Sequence, residues 1–252
     1  MRKKINPAII FTLFTIFIAI LILNRPTYED HPVKSKLNAV QVENQALHNL
    51  DKPIIDVSGW QRPEEINYDT LSQNISGVIV RVHNGGQHTE TNNAAYVNGV
   101  DKAYINHISE FQKRNVPVAV YAYLAGTSKE EMEKAAEVFY NAASPYNPSY
   151  YWLDVEEKTM SDMNEGVEAF RAKLEALGAK NIGIYIGVYF MQEHSINTDK
   201  FSAVWIPSYG TDSGYFETTP NTDLDYDLHQ YTSKGRIAGF EHHLDINLIS
   251  TL

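Results

Sequence analysis

Asp154 and Glu156 stand two residues apart at the end of the apolar, aromatic segment Tyr150–Leu153. On a β-strand, side chains at i and i+2 point to the same face, with Cα atoms about 6.5–7 Å apart. Two carboxyls converging at the mouth of a strand can divide the work of breaking a glycosidic bond. One donates a proton to the leaving oxygen and the other stabilises or attacks the sugar. A lone Asp-x-Glu is more often a solvated strand end. What lifts this pair above that reading is the company it keeps, because other apolar runs end in acids, amides and aromatics. Their ends read Asp56 and Ser58, then Arg81, His83 and Asn84, then Tyr121 and Tyr123. Tyr185, Trp205 with Tyr209, Gln230 with Tyr231, and Asp245 with Asn247 follow. Each alone has a plain structural reading: Asp56 as a turn cap, Arg81 as half of an ion pair, the two tyrosines as filling, Asp245 as a solvated residue near the C-terminus. As a set they are four acids and several aromatics around one place. Glu157 alternates to the opposite face and is expected to play no part.

The elements that must position this set are short β-prone runs: Ile54–Val57, Gly77–Val82, Pro117–Tyr123, Tyr150–Val155, Asn181–Ile186, Ala203–Pro207, Asp227–Tyr231 and Leu244–Ile246. Amphipathic helical stretches lie between the early ones, over Tyr68–Asn74, Asp101–Arg114, Ser128–Ala143 and Ser161–Leu177. Ser128 with Glu131 makes a capping box, and Ser161 is placed to cap the next helix. Gly178 stands where a C-terminal glycine is expected. Alternating β and α with near-continuous apolar strands implies a parallel sheet covered by helices. Ser208–Asp225 carries no helical period, so the pattern is regular for about five β/α units and irregular afterwards. In a β/α barrel, chemistry is built at the C-terminal strand ends, where the residues above would gather.

The chain has 252 residues, enough for one such barrel. Its formal charge is −10, which argues against nucleic acid as a partner. It has no cysteine, which excludes disulfides, thiolate metal sites and a cysteine nucleophile. Arg2, Lys3 and Lys4 precede the apolar run Ala8–Leu23. The run is near the lower limit for a membrane span, and no small-x-small cleavage site follows it. Residues 1–24 are therefore read as an uncleaved anchor in the lipid bilayer, with the N-terminus inside and the remainder outside. A secreted protein with a cleaved signal is the rival reading. Residues 25–52 are polar and read as a stalk, and 53–252 as the barrel domain.

Taken together, these segments resemble the glycoside hydrolase family 25 muramidases, the Chalaropsis-type lysozymes. The resemblance is carried, in the family's order, by Ile55-Asp56-Val57-Ser58, Val78-Ile79-Val80-Arg81, Val120-Tyr121-Ala122-Tyr123 and Trp152-Leu153-Asp154-Val155-Glu156. It continues through Val204-Trp205-Ile206-Pro207-Ser208-Tyr209, His229-Gln230-Tyr231-Thr232-Ser233 and Leu244-Asp245-Ile246-Asn247. It implies an α/β fold, an irregular TIM-like barrel of five β/α units and three further strands. It also implies cleavage of the β-1,4 bond between N-acetylmuramic acid and N-acetylglucosamine in peptidoglycan glycan strands, with no cofactor and no metal. Glu156 would be the general acid, its pKa raised by burial among Trp152, Tyr121 and Tyr185. Asp154 would stay ionised, as a nucleophile or to orient the substrate's acetamido group; both roles stay open, as does the stereochemical outcome. Asp56 and Asp245 would tune the pair. Arg81, Tyr121, Tyr123, Tyr185, Trp205, Tyr209 and Gln230 would contact substrate.

The chain departs from the family at Ala122, where histidine is frequent, at Val82-His83-Asn84, and in the Trp60-Gln61 loop. Two other classes fit parts of the pattern. A metal-dependent polysaccharide deacetylase would use His242, His243, Asp245 and Asp56, although neighbours on a strand face opposite ways. A non-catalytic glycan-binding module would keep the barrel without the chemistry.

Overall fold

The computed structural model describes residues 52–85 and 91–250. The expected anchor and stalk lie outside them, and among the described residues no helix is long and apolar enough to cross a membrane. Eight strands close a barrel in sequence order: β1 (Ile54–Val57), β2 (Gly77–Asn84), β3 (Val118–Tyr123), β4 (Tyr151–Val155), β5 (Ile182–Ile186), β6 (Ala203–Pro207), β7 (Leu228–Gly235) and β8 (Leu244–Ile249). A helix follows each of the first five: α1 (Tyr68–Ser72), α2 (Tyr104–Lys113), α3 (Lys129–Ala143), α4 (Met163–Leu177) and α5 (Val188–Glu193). No helix follows β6 or β7 among the described residues, as the loss of helical period implies.

Six neighbouring pairs, from β1–β2 to β6–β7, are parallel as expected. Strand β8 runs antiparallel to both β7 and β1. The reason is length. Only residues 236–243 join β7 to β8, and a parallel return needs a crossover of a dozen residues or more. Helix α5, six residues directly after β5, was not expected from the sequence. Helix α2 begins three residues later than expected. Ser128 caps α3 by accepting from the Glu131 amide, as read, but the cap of α4 is Asp162, not Ser161. Gly178 ends α4 at φ 109°, a conformation that glycine tolerates best.

Alternation along the strands splits the core in two. Val78, Val80, Val120, Ala122, Leu153, Val155, Ile184, Ile186, Val204 and Ile206 face the helices. Ile79, Ala119, Trp152, Tyr185, Ala203, Trp205 and Leu228 fill the barrel. The interior is aromatic: Trp205 meets Trp152 edge-on at 5.6 Å and Tyr185 at 4.5 Å between centroids. Gly183 makes room, since a Cβ there would lie 2.3 Å from the Trp152 ring. This aromatic plug is the floor on which the polar strand ends stand.

Candidate active site

Strand parity carries the site. Residues 54, 79, 119, 152, 183, 203 and 228 face the lumen, so two positions further along the same face bring Asp56, Arg81, Tyr121, Asp154, Tyr185, Trp205 and Gln230 towards the mouth. Strand β8 completes the ring: Asp245 lies in register with Asp56 across the antiparallel pair, and directly opposed residues share a face. The Trp205 indole is buried against Trp152 and Tyr185.

A hydrogen-bonded chain crosses the mouth. Asp56 Oδ2 accepts from Gln230 Nε2 at 2.9 Å and from Asn247 Nδ2 at 2.8 Å. Gln230 Oε1 in turn accepts from the Tyr185 hydroxyl at 2.7 Å and from the Tyr209 hydroxyl. The amide of Gln230 therefore translates between a carboxylate that only accepts and two phenols that donate. Asn247 is expected at the end of the last strand; its grip on Asp56 emerges from β8 closing against β1.

The acids are electrostatically one system. Burial pushes Asp56 up to about 6, against the hydrogen bonds from Asn247 and Gln230, and Glu156 adds to the rise. Burial, then the charges of Asp56 and Asp212, push Asp245 up to about 8. Asp154 is held well above the ordinary carboxylate range by burial first, then by the charge of Glu156 and a hydrogen bond shared with it. Arg81 acts in the other direction. Burial also raises the hydroxyls of Tyr121, Tyr123, Tyr185 and Tyr209, keeping them as neutral donors.

This corrects the expected division between the two central carboxyls. Glu156 was to be the buried member, yet it is exposed, and the burial-driven rise falls on Asp154. Strand β4 ends at Val155, so Asp154 belongs to the packed layer among Tyr121, Trp152 and Tyr185, while Glu156 stands beyond the last ladder position. The same end of strand undoes the expectation for Glu157. Alternation stops there, and Glu157 accepts from the Tyr123 hydroxyl at 3.1 Å.

Other expectations also meet their neighbours. Ala122 faces the helices, so the missing histidine changes no mouth contact by that route. His242 lies 3.9 Å from Glu65, and His243 hydrogen-bonds Arg236, both exposed and apart from Asp56. Among the described residues no group of three His, Cys, Asp or Glu could hold a metal ion. The deacetylase ligand set is thus not assembled. Exposed aromatics that sequence reading did not single out stand in the connections leaving β5 and β6: Tyr189, Tyr215 and Phe216, which join Trp60 after β1. Tyr189 lies on the short helix α5, and Tyr215 and Phe216 in a loop, where no periodicity marks them.

The chain matches the model of glycosyl hydrolases family 25 over residues 55–240, well over half its length. The chain belongs to that family. It is 75% identical to a glycosyl hydrolase 25 of Streptococcus pneumoniae, described as a virulence factor participating in host cell invasion. That likeness has a TM-score of 0.81 and covers 84% of this chain and 92% of the other. The catalytic domain of an endolysin from bacteriophage P40 of Listeria monocytogenes is 26% identical, with a TM-score of 0.69 over 79% of this chain and 93% of the other. A bacterial lysozyme from Streptomyces coelicolor, at 16% identity and a TM-score of 0.59, covers 79% of this chain and 92% of that one and shares the fold. The comparison with curated proteins found no match. As a family 25 member the chain is a glycoside hydrolase, and the family 25 barrel accounts for the five helices, the three helix-free strands and the acidic mouth.

Proposed function

We propose that this glycoside hydrolase is a muramidase, cutting the β-1,4 bond between N-acetylmuramic acid and N-acetylglucosamine in peptidoglycan. The observation that carries the reading is the Asp154–Glu156 pair: two interacting carboxyls at the barrel mouth, one buried and raised by the charge of the other, one exposed. Such a pair titrates as a unit. A sugar ring seated over the mouth lies against Glu156, the exposed member of the pair. Glu156 then donates to the leaving oxygen, while Asp154, ionised and beside Arg81, faces the positive charge that develops on the ring. Asp56, held by Gln230 and Asn247, and Asp245 set how much negative charge the mouth carries. The relation to an endolysin catalytic domain supports a wall substrate.

The test is to incubate the full-length protein with purified Gram-positive peptidoglycan, with and without EDTA, beside Glu156→Gln, and to read fragments by mass spectrometry. New reducing-end muramic acid, insensitive to chelator and lost in Glu156→Gln, is the expected result. Intact glycan with measurable wall binding would overturn it in favour of a binding module.

We further infer that residues 1–24 hold the enzyme in a bilayer with the barrel outside the cell and residues 25–52 as its stalk. The support is the sequence: three basic residues, then the apolar run Ala8–Leu23. An enzyme so tethered would trim wall strands near the membrane. Fractionation of expressing cells tests this, since release of the intact chain into the medium would overturn it.

A further inference from the structure

Asp101 is a fully buried carboxylate that the reaction as described does not use. Its Oδ2 accepts from Arg81 Nε at 2.9 Å and from the Gly59 amide at 2.8 Å, and its Oδ1 accepts from the Ala103 amide at 2.8 Å. One side chain thus ties the end of β2, the loop after β1 and the approach to α2. The Gly59 loop has no slack, because a Cβ there would lie 2.5 Å from the Ala94 carbonyl oxygen. Trp60, more than half exposed, follows directly. Arg81 is itself buried, and its Nη2 has no hydrogen-bond partner among the described residues; neither has Asp154 Oδ1, across the same mouth. A buried donor and a buried acceptor left without partners on β2 and β4, the two strands flanking β3, are costly in a folded protein unless a ligand or water engages them.

We propose that Asp101 is a positioning residue for substrate recognition: it clamps one edge of the Arg81 guanidinium so that the Nη2 edge is presented to an acceptor oxygen of the sugar beside Asp154. The planar fork of arginine suits this, since one edge can be fixed while the other stays available. Asp101 also offsets the charge of Arg81, so that Arg81 moderates Asp154 without seizing it. Asp154 is reached by Glu156 on its own strand, Asp56 from β1, Arg81 from β2, Tyr121 and Tyr123 from β3, and Tyr185 from β5.

The inference rests on the muramidase reading for its substrate, and the test separates the two. Full-length wild type, Asp101→Asn and Arg81→Met are labelled with ¹³C at the aspartate carboxyls, and the Asp154 titration midpoint is followed by NMR, which needs no turnover. Asp101→Asn is expected to lower the midpoint by about one unit, as an uncompensated arginine favours the carboxylate, and Arg81→Met to raise it. Both variants are also expected to raise KM on solubilised glycan strands about tenfold or more, with kcat falling less. Opposite midpoint shifts in variants that keep the wild-type near-ultraviolet dichroism are not what loss of packing alone produces. Midpoints equal to wild type in both variants, or shifts of the same sign, would overturn the positioning role. Should Asp101→Asn fail to fold, Arg81→Met alone decides: an unchanged midpoint overturns the proposal. A wild-type enzyme inert on wall material would sink the muramidase reading while leaving the NMR result to stand or fall separately.

Discussion

Asp154 and Glu156 are two residues apart in sequence and one layer apart in the barrel, and that difference gives a shared proton its direction. Because Asp154 is raised by burial and by the negative Glu156, the pair should hold its proton well above pH 4. The alkaline limb of the kcat/KM profile, where that proton is lost, is therefore expected well above the ordinary carboxylate range. A limb near pH 4 would count against the shared proton. Asp154→Asn is expected to lower kcat by about 10²-fold or more without lowering Tm at neutral pH. The carboxyl it replaces is buried with Oδ1 unpartnered among the described residues, so the fold loses nothing by its neutralisation. The identity of the two carboxyls was legible in the sequence. Which one would be buried was not, because that depends on whether the ladder ends at Val155 or continues.

At the scale of elements, the barrel interior leaves little freedom. Gly183 sits on β5 against the face of Trp152, which stacks on Tyr150 and meets Trp205 edge-on. Gly183→Ala forces the Trp152 ring to move and should cost about 1–3 kcal/mol in urea unfolding, with a loss of activity because the floor beneath Asp154 shifts. A substitution outside the barrel should separate the two effects. Ser128→Ala removes the cap of α3 and should cost about 1 kcal/mol while leaving turnover within about twofold of wild type, since α3 lies on the outer layer. Strands, the first four helices and the caps at Ser128 and Gly178 could be read from period and composition. The shift of the α4 cap to Asp162 could not, because serine and aspartate are comparable caps and only the backbone conformation chooses between them.

For the whole molecule, the raised and lowered carboxyls act on stability in opposite directions. Asp56, at about 6, and Asp245, at about 8, bind their protons more tightly folded than unfolded, where carboxyls titrate near about 4. Their contribution is complete below about pH 4 and is lost as pH rises through 6 and 8. Glu168, held to about 2 chiefly by Arg171, and Asp212, brought to about 2 by Thr232 and Ser233 against its partial burial, contribute above about pH 4 and lose that contribution as pH falls towards 2. Tm should therefore be highest in mildly acidic solution and decline towards pH 8. Asp245→Asn should flatten the alkaline side, raising Tm at pH 8 more than at pH 4. Calorimetric scans across this range check both, and a Tm that climbs steadily to pH 8 would contradict the strain assigned to the mouth.

The sequence by itself determined the class of fold and the membership of the mouth, because alternation along eight apolar runs fixes which side chains share a face, and residues such as Asp56, Arg81, Asp154, Gln230 and Asp245 fall on the same parity. It could not determine the reversal of β8, the role of Asn247, the clamp of Asp101 on Arg81 and Gly59, or the contact of Glu157 with Tyr123. Each of these joins residues distant in the chain or beyond the end of a strand, where no period operates. The protonation of the acids belongs to the same group. A carboxyl's pKa depends on its burial and on its neighbours' charges, and only the closing of the barrel brings Asp56 on the first strand beside Asp245 on the last.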